Sequence, residues 1–251
     1  MIGCHCAVCS STDSRDKRLR SSVMIEQCDT PESPVRSRIV IDAGPDFRYQ
    51  MLREHIDRLD AILLTHEHKD HIAGIDDVRA YNYFQHKAIQ IYATERVGRI
   101  VRKDFDYAFS EQKYPGVPEI DLRTIDPSES FDAAGMHVIP VAGRHYTLPV
   151  TGYRIGPVAY LTDFNSISDK ELEKLRGVDV LVINALRYEP HISHFTVSQA
   201  TDICRRVGAR RSFLTHMSHQ IGLYSEICDK LPKGIGFAYD GLKVYIDDSK
   251  L

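Results

Sequence analysis

The 251-residue sequence lacks an apolar run long enough to cross a membrane, which takes about 18 to 20 residues. Its first residues, MIGCHCAVC, also lack the charged region and the long apolar segment of a secretory signal. It has little net charge, because 32 Lys and Arg residues stand against 35 Asp and Glu residues, giving -3. Such a chain has no general attraction to nucleic acid unless a local basic patch supplies one. We therefore expect a cytoplasmic globular protein that binds no membrane and for which nucleic acid is not the favoured partner.

The sequence alternates short β-rich runs with amphipathic helical patterns, without a repeat, a low-complexity tract or a long linker. This alternation predicts one α/β domain over residues 1–251. Strands are expected at 22–26, 38–42, 61–65, 89–92, 137–141, 151–155, 158–162, 178–184 and 211–215, with a closing hairpin of 236–239 and 242–246. Helices are expected at 75–84, 95–105, 169–175, 197–207 (capped by Thr196 or Ser198) and 223–230. The segment 104–118 fits neither period and is expected to be an irregular insertion that could serve as a lid.

The most informative segment is a buried-strand pattern that runs directly into four metal-ligand residues. The apolar run 61–65 leads into His66, His68, Asp70 and His71, which fall within six positions. The end of a strand fixes the backbone, so alternate side chains of the following loop can converge on one point. His66 and His68 can therefore bind one metal. Asp70 and His71 can then face a second metal. Imidazole and carboxylate suit Zn, Mn or Fe, and the weaker alternative is a polar surface loop in which histidines cluster by chance.

The spacing HxHxDH resembles the metal-binding signature of the metallo-β-lactamase superfamily. The resemblance implies an α/β protein with the αββα sandwich fold and a dinuclear metal site along one edge. Three later strand ends carry residues at the positions where that superfamily has its remaining ligands: His145, Asp163 and His216. The implied arrangement has one metal on His66, His68 and His145, the other on Asp70, His71 and His216, and Asp163 bridging them. Two such metals can share a hydroxide, which is hydrolase chemistry; a di-iron redox version is disfavoured because no flavin-binding module is evident.

Three of the six cysteines form a CxCxxC motif near the start of the sequence: Cys4, Cys6 and Cys9. They offer three soft ligands and leave one position of a tetrahedral Zn²⁺ open. His219 follows His216 by three residues, so one turn could present His216 to the paired metals and His219 to the cysteines. We expect a structural zinc held by an N-terminal loop at 3–10. Free thiols, or His5 as the fourth ligand, are the alternatives.

The combination of these motifs resembles more narrowly the cyclic-phosphate phosphodiesterases of the carbon-phosphorus lyase pathway, the PhnP-like family. The likeness includes the segments 161–163 and 214–219 and covers the chain from Cys4 to the closing 237–241 segment. It implies a structural zinc and two catalytic Mn²⁺ or Zn²⁺ ions that cleave ribosyl cyclic phosphates and related diesters. Family members place a strand and a glycine-rich loop before the cysteines. Either the natural product is longer than this sequence, or this member lacks an edge strand.

Further residues are expected to act beside the metals. His194 matches the family's active-site histidine that is not a permanent metal ligand, and with Asp70 it is the predicted catalytic residue. It would donate a hydrogen bond to a phosphate oxygen or protonate the leaving alkoxide. His191, or a structural role for His194 at the helix entry, is the alternative. Asp42 and Asp46 are expected to orient a ligating imidazole rather than to touch metal.

The sequence thus predicts a metal-dependent phosphodiesterase that hydrolyses a small cyclic or nucleotide-like diester through a hydroxide bridging two metals. An RNA 3′-processing endonuclease is less favoured, because no protruding basic arm is visible. A thioester or lactone hydrolase of the same fold remains open, whereas the full ligand set argues against a non-catalytic zinc-binding interaction protein. The expected partner is a small diester, and a homodimer is considered. Tyr107, Phe109 and Tyr114 would stack on a base or pack against protein, and packing is the favoured use.

Overall fold

A computed structural model describes residues 1–112 and 114–247. The α-helices are α1 (Ala7–Ser10), α2 (Phe47–Arg53), α3 (Lys69–Ile72), α4 (Arg79–Gln85), α5 (Glu95–Asp104), α6 (Asp106–Phe109), α7 (Asp169–Glu173), α8 (Val197–Val207) and α9 (Tyr224–Ile227). The strands are β1 (Val23–Gln27), β2 (Ser37–Ile41), β3 (Ala61–Leu63), β4 (Ile89–Thr94), β5 (Ile120–Ile125), β6 (Phe131–Ala133), β7 (Met136–His145), β8 (Leu148–Ile155), β9 (Val158–Leu161), β10 (Val180–Asn184), β11 (Arg211–Thr215) and β12 (Ile235–Phe237). Short 3-10 helices occupy Ser14–Asp16, Ile75–Val78 and His219–Ile221.

The chain divides into two compact units. One is Arg20–Val138, here called the continuous unit; the other, the discontinuous unit, combines Met1–Leu19 with the chain from Ile139 onward. The continuous unit holds a five-stranded sheet in the order β1-β2-β3-β4-β5, in which only the β1–β2 pair is antiparallel. All three residues of β3 are buried, as expected for an apolar strand with a parallel neighbour on each side. The amphipathic helix α5 packs on this core through Val97 and Val101.

A second sheet has the strand order β12-β11-β10-β9-β8-β7-β6. The discontinuous unit holds β8 to β12 and β7 from Ile139 onward, whereas β6 pairs with Met136–Val138 of β7. Strands β9 to β12 are parallel, whereas β8 and β9 are antiparallel. Helix α8 packs on the core through Ala200, Ile203 and Cys204. No helix within the described residues is both long enough and apolar enough to cross a bilayer. The single domain predicted over 1–251 stays a prediction.

The expected closing hairpin is wrong. β12 pairs in parallel with β11, and the described residues that follow the Asp240-Gly241 turn form no strand. The turn itself is present, with a hydrogen bond from Leu242 N to Tyr239 O, but other contacts hold the chain around it. The Asp240 carboxylate accepts from the backbone N–H of Leu19, and the Arg211 guanidinium donates to the carbonyl of Tyr245. These contacts take the place of a second strand of the hairpin.

The segment 104–118 is less irregular than expected, because it includes the helix α6. The Tyr107 hydroxyl donates to Asp76 Oδ1 at 2.6 Å, and the Phe109 ring lies 4.8 Å from the Arg102 guanidinium. Tyr107 and Phe109 therefore make contacts within the continuous unit, as favoured, whereas Tyr114 is 79% exposed. Helix α2 and strands β5 and β6 were not expected from the sequence, whereas the bounds of α8 and β11 are confirmed.

Thr196 caps α8 through a capping box, as expected from the sequence. Its hydroxyl accepts from Gln199 N at 3.2 Å, and the Gln199 side chain accepts from Thr196 N at 2.9 Å. We predict that Thr196→Ala lowers the free energy of unfolding by about 1 kcal/mol, because an N–H at the helix start loses its acceptor. Urea unfolding would measure the change. Thr196→Ser keeps the oxygen and should remain within about 0.5 kcal/mol of the natural protein; equal losses in both variants would contradict the capping role.

Candidate metal centre

Three histidine rings of the HxHxDH motif cluster at the end of β3. His66 is fully buried, and its Nε2 lies 3.1 Å from Nδ1 of the exposed His68. The ring of His71 lies against that of His66, with centroids 4.3 Å apart. Asp70 Oδ2 is 3.7 Å from His71 Nε2 and 3.6 Å from Arg20 Nη1. The sequence motif therefore brings its four predicted ligands together within the continuous unit.

Asp42 connects two of these rings through hydrogen bonds. Its Oδ2 accepts from His71 Nδ1 at 2.7 Å and from the Thr65 hydroxyl at 2.8 Å, while its Oδ1 accepts from Thr65 N at 2.9 Å. The Thr65 oxygen also lies 3.0 Å from His66 Nδ1. Because the Thr65 hydroxyl gives its proton to Asp42, His66 Nδ1 must be the donor in that contact. Both rings thus carry a proton on Nδ1 and the lone pair on Nε2, the arrangement of a metal-binding imidazole.

The expected contact between Asp42 and an imidazole is confirmed. Burial raises the pKa of Asp42, whereas the neighbouring His71 and the hydrogen bonds from His71 and Thr65 oppose that rise. The expectation for Asp46 is wrong: its Oδ2 accepts from the backbone N–H of Arg20 at 2.8 Å, so it holds the chain before β1 rather than an imidazole.

The segment after Asp42 also supports the motif through the backbone. Ala43 N donates to His71 O, and Gly74 N donates to Ala43 O, each at 2.8 Å. Gly44 lies so close to the carbonyl group of Asp70 that a Cβ atom at this position would overlap it. The glycine is therefore needed for close packing and not for an unusual turn.

Four predicted site residues lie together in the discontinuous unit: His145, Asp163, His194 and His216. The ligand atoms of His145, Asp163 and His194 are all within 4.8 Å of one another. Asp163 Oδ1 is 3.2 Å from His216 Nε2 and 3.7 Å from His194 Nδ1. The His145 ring donates from Nδ1 to the carbonyl of Ser193 at 2.7 Å, so its lone pair is again on Nε2.

Three residues of these clusters have left-handed backbone conformations. The φ angles are 67° for Asp42, 61° for Asp163 and 55° for His216. Each residue stands one or two positions after a strand end, of β2, β9 and β11 respectively. Such a conformation costs a non-glycine residue about 1–3 kcal/mol and is concentrated at functional sites.

Asn184 is a supporting residue that sequence reasoning missed. It is fully buried at the end of β10, where its Oδ1 accepts from Phe164 N at 2.7 Å and its Nδ2 donates to Phe164 O at 2.9 Å. This pair of hydrogen bonds fixes the backbone directly after Asp163. The sequence signal that could have identified Asn184 was an apolar strand pattern that ends on an amide side chain.

His194 has a buried nitrogen whose hydrogen-bonding capacity is not used within the described residues. Its Nδ1 makes no hydrogen bond there, although Asp163 is close. Burial lowers the pKa of His194 to about 3, so the ring is neutral at pH 7. A neutral ring suits a hydrogen bond to an oxygen better than protonation of a leaving group, which favours one of its two expected roles. An unsatisfied buried nitrogen also fits a ligand that brings a polar group to this cluster.

The three cysteines of the CxCxxC motif meet His219 within the discontinuous unit. The sulfurs of Cys4, Cys6 and Cys9 and a His219 nitrogen all lie within 4.8 Å of one another. His219 Nδ1 is 3.5 Å from Cys4 Sγ and 3.4 Å from Cys6 Sγ, close to the roughly 3.6 Å that tetrahedral Zn–S and Zn–N bonds give. The hydrogen bond with His219 lowers the pKa of Cys6 to about 6, which favours the thiolate that binds metal.

The donor atoms of these clusters fit divalent metal ions. Imidazole nitrogens with carboxylate oxygens suit Zn, Mn or Fe, and three thiols with one imidazole suit zinc. The hydrogen bonds that set the proton on Nδ1 of His66, His71 and His145 are those expected around metal-binding histidines. The assignment of ligands to individual metals stays a prediction.

Comparison with known proteins agrees with this chemistry. The model of the β-lactamase superfamily domain matches residues 37–217. A crystal structure described as a new diphosphatase from the PhnP family is 40% identical and has a TM-score of 0.87, covering 98% of this chain and 92% of that one. The chain belongs to the β-lactamase superfamily and to its PhnP family. The predicted metallo-β-lactamase fold class is therefore confirmed, and the membership supports a metal-binding hydrolase.

Of two further relatives, one is about twice as long as this chain and the other has a low sequence identity to it. An octanoyltransferase of Porphyromonas gingivalis is 42% identical over 248 residues, which are 98% of this chain but 49% of that protein. The chain thus spans about half the length of this curated relative. Zn²⁺-bound PqqB from Methylobacterium extorquens, at 18% identity and a TM-score of 0.74 over 98% of this chain and 95% of that one, shares the fold.

Asp42 offers a test of metal affinity that does not need a substrate. We predict that Asp42→Asn weakens divalent-metal binding by about 10- to 100-fold, because an amide cannot accept from all three donors that the carboxylate serves. Competition with a chromophoric chelator would measure the affinity. Asp46→Asn is the matched control, since Asp46 lies in the same segment and accepts from the backbone N–H of Arg20. Equal affinities of both variants would contradict the orienting role of Asp42.

Proposed function

We propose that the chain is a metal-dependent phosphodiesterase that hydrolyses a small cyclic or nucleotide-like phosphodiester. The observation that carries the proposal is the 40% identity, over nearly the whole of both chains, to a PhnP-family diphosphatase. The oriented histidines and carboxylates of the two units support it, since these are the donors such chemistry needs.

The proposed ligands are those of the sequence analysis. They divide into one set of His66, His68 and His145, a second set of Asp70, His71 and His216, and Asp163 shared by both. This division rests on the HxHxDH motif and on family membership. Two Mn²⁺ or Zn²⁺ ions would lower the pKa of a water molecule and offset the charge that develops on the phosphoryl oxygens.

The residues of the chain have separate proposed tasks. Asp42 fixes the proton positions on His66 and His71, so that both rings present Nε2. Asp163 supplies an anionic oxygen beside His216 and His194. His194, neutral at pH 7, donates a hydrogen bond from its ring to a non-bridging phosphate oxygen, where preorganised donors stabilise developing charge.

A third metal, a zinc, is proposed at Cys4, Cys6, Cys9 and His219. Its task is structural. The segment before residue 20 contains one short α-helix and one short 3-10 helix, and its one buried apolar residue is Val8, so it has little core of its own. A zinc bound by three thiolates and an imidazole would supply the stability that this segment cannot obtain from apolar burial.

Acyl chemistry is the second function to be tested, because one relative is called an octanoyltransferase. That name describes a protein of about twice the matched length, so it does not by itself assign acyl transfer to this chain. The family likeness to a diphosphatase covers nearly all of both proteins and therefore weighs more. Thioester cleavage is measured beside diester cleavage for this reason.

We predict that metal-stripped protein regains hydrolysis of bis(p-nitrophenyl) phosphate when Mn²⁺ or Zn²⁺ is restored. Asp163→Ala should remove this activity, because the oxygen shared by the ligand sets is lost. His194→Ala should lower kcat by about 10²- to 10³-fold while metal content stays unchanged, because one donor to the phosphate is lost. Release of p-nitrophenolate and elemental analysis would measure both effects.

Asp126→Ala serves as the control for these variants, because Asp126 caps a surface turn through Ser128 and belongs to no ligand set. Cleavage of an acyl thioester without diester cleavage would overturn the proposed reaction. Loss of metal from His194→Ala would make His194 a ligand and contradict its proposed task.

The zinc proposal has its own pair of variants. His219→Ala should lower the zinc content by one ion per chain, since the fourth donor of the cysteine cluster is lost. His5→Ala, a change within the same loop at a residue outside the four donors, should leave the content unchanged. Zinc per chain would be counted by elemental analysis after dialysis. Retention of the ion in His219→Ala, or its loss from His5→Ala, would contradict the assignment.

A further inference from the structure

The turn between β7 and β8 consists of two residues, Tyr146 and Thr147, and directly follows His145. Tyr146 has a φ angle of 56°. Two-residue hairpin turns with a positive φ favour glycine, asparagine or aspartate, and a bulky residue there is a conformational outlier. The preceding hairpin, between β6 and β7, also has positive φ angles, 50° at Ala134 and 77° at Gly135, but both of its turn residues are small. The tyrosine is therefore kept at a position where the backbone favours glycine.

Packing does not account for this tyrosine. Its side chain is 57% exposed, and no hydrogen bond or ring contact within residues 1–112 and 114–247 involves the Tyr146 ring. Only its backbone N–H is held, by Asn165 Oδ1 at 3.0 Å. Strain that is retained without a packing gain points to a role for the ring outside the fold itself.

Asn165 places a second exposed apolar residue next to this turn. Its Nδ2 donates to the carbonyl of Ile192 at 2.9 Å, and the Ile192 side chain is 65% exposed. The next residue, Ser193, accepts the hydrogen bond from His145 Nδ1. One amide group thus joins the Tyr146 turn to the loop that leads into His194. Tyr146 directly follows His145, and Ile192 stands two residues before His194; the ring centroids of these two histidines are 4.5 Å apart.

We propose that Tyr146 and Ile192 form a substrate wall that receives a planar aromatic group, such as a nucleobase, attached to the phosphate. This proposal rests on the proposed function and narrows its substrate to diesters with a base-like substituent. An aromatic ring is a sequence-tolerant stacking surface for any base. Arg144, also exposed, donates to the carbonyl of Thr147 and adds a positive charge at the turn, which favours a phosphate-bearing ligand over a neutral acyl chain.

Binding of two phosphomonoesters tests the wall without requiring turnover. AMP and ribose 5-phosphate share the sugar and the phosphate, and only AMP has a base. Calorimetry with Mn²⁺-loaded protein should show AMP bound at least about fivefold more tightly. Tyr146→Phe should keep this preference and Tyr146→Ala should abolish it. Tyr245→Ala, at an exposed tyrosine whose carbonyl binds Arg211, should leave it unchanged.

Tyr146→Gly separates the ring from the stability of the turn. Glycine adopts a positive φ without strain, so this variant should unfold at a higher temperature than Tyr146→Ala and still lack the AMP preference. Equal binding of the two ligands to the natural protein, binding of neither, or a preference that survives in Tyr146→Gly would overturn the wall. A dimer that dissociates only in the Tyr146 variants would also overturn it, by making the ring a subunit contact.

The result of the AMP binding test can be distinguished from the result of the diester cleavage test. AMP preference without diester cleavage would reject the phosphodiesterase proposal and leave the wall intact. Diester cleavage without AMP preference would do the reverse.

Discussion

The hydrogen bonds accepted by the Asp42 carboxylate are the constraint on which the candidate metal chemistry of the continuous unit depends. A buried imidazole can carry its proton on either nitrogen, and only one of these forms presents the lone pair in a given direction. Asp42 decides this directly for His71 and, through the Thr65 hydroxyl, for His66. The strand order serves this purpose, because β2 and β3 are parallel neighbours and their ends bring Asp42 and Thr65 together.

In the discontinuous unit, the proton of His145 is also held on Nδ1, but the acceptor is not a carboxylate. The acceptor for His145 Nδ1 is the backbone carbonyl of Ser193, which is a neutral group. Asn184 secures the neighbouring backbone by binding both polar groups of Phe164. A carboxylate makes an attached imidazole a stronger electron donor than a carbonyl does. His71 is therefore expected to be a stronger electron donor to a metal than His145, although the two rings share one proton arrangement.

Local patterns in the sequence predicted several of the residues that the structure brings together. A buried strand followed by HxHxDH, and strand ends that carry His145 or Asp163, are signals a single sequence contains. The Asp240-Gly241 turn was also identified, but the hairpin around it was wrong, because the choice of β11 as the partner of β12 depends on contacts distant in sequence. The expectation for Asp46 failed for the same reason, since nothing local shows that its carboxylate serves Arg20. Tyr146 and Asn165 show a different limit: a positive φ and an amide that joins residues distant in sequence are properties of the folded backbone, so they leave no periodic or compositional signal.

The turn that carries His216 and His219 links two of the clusters mechanically. His216 lies beside Asp163, and His219, three residues later, lies beside the cysteines. Arg18 holds this turn from the N-terminal segment, since its guanidinium donates to the carbonyls of Ser218 and Gly222 at 2.8 Å each. The N-terminal segment is thereby tied to the backbone that follows His216, which is itself in a left-handed conformation. A metal that fixes the cysteine loop would stabilise the orientation of His216 without touching it, which gives a structural ion a reason to lie so near the candidate catalytic residues.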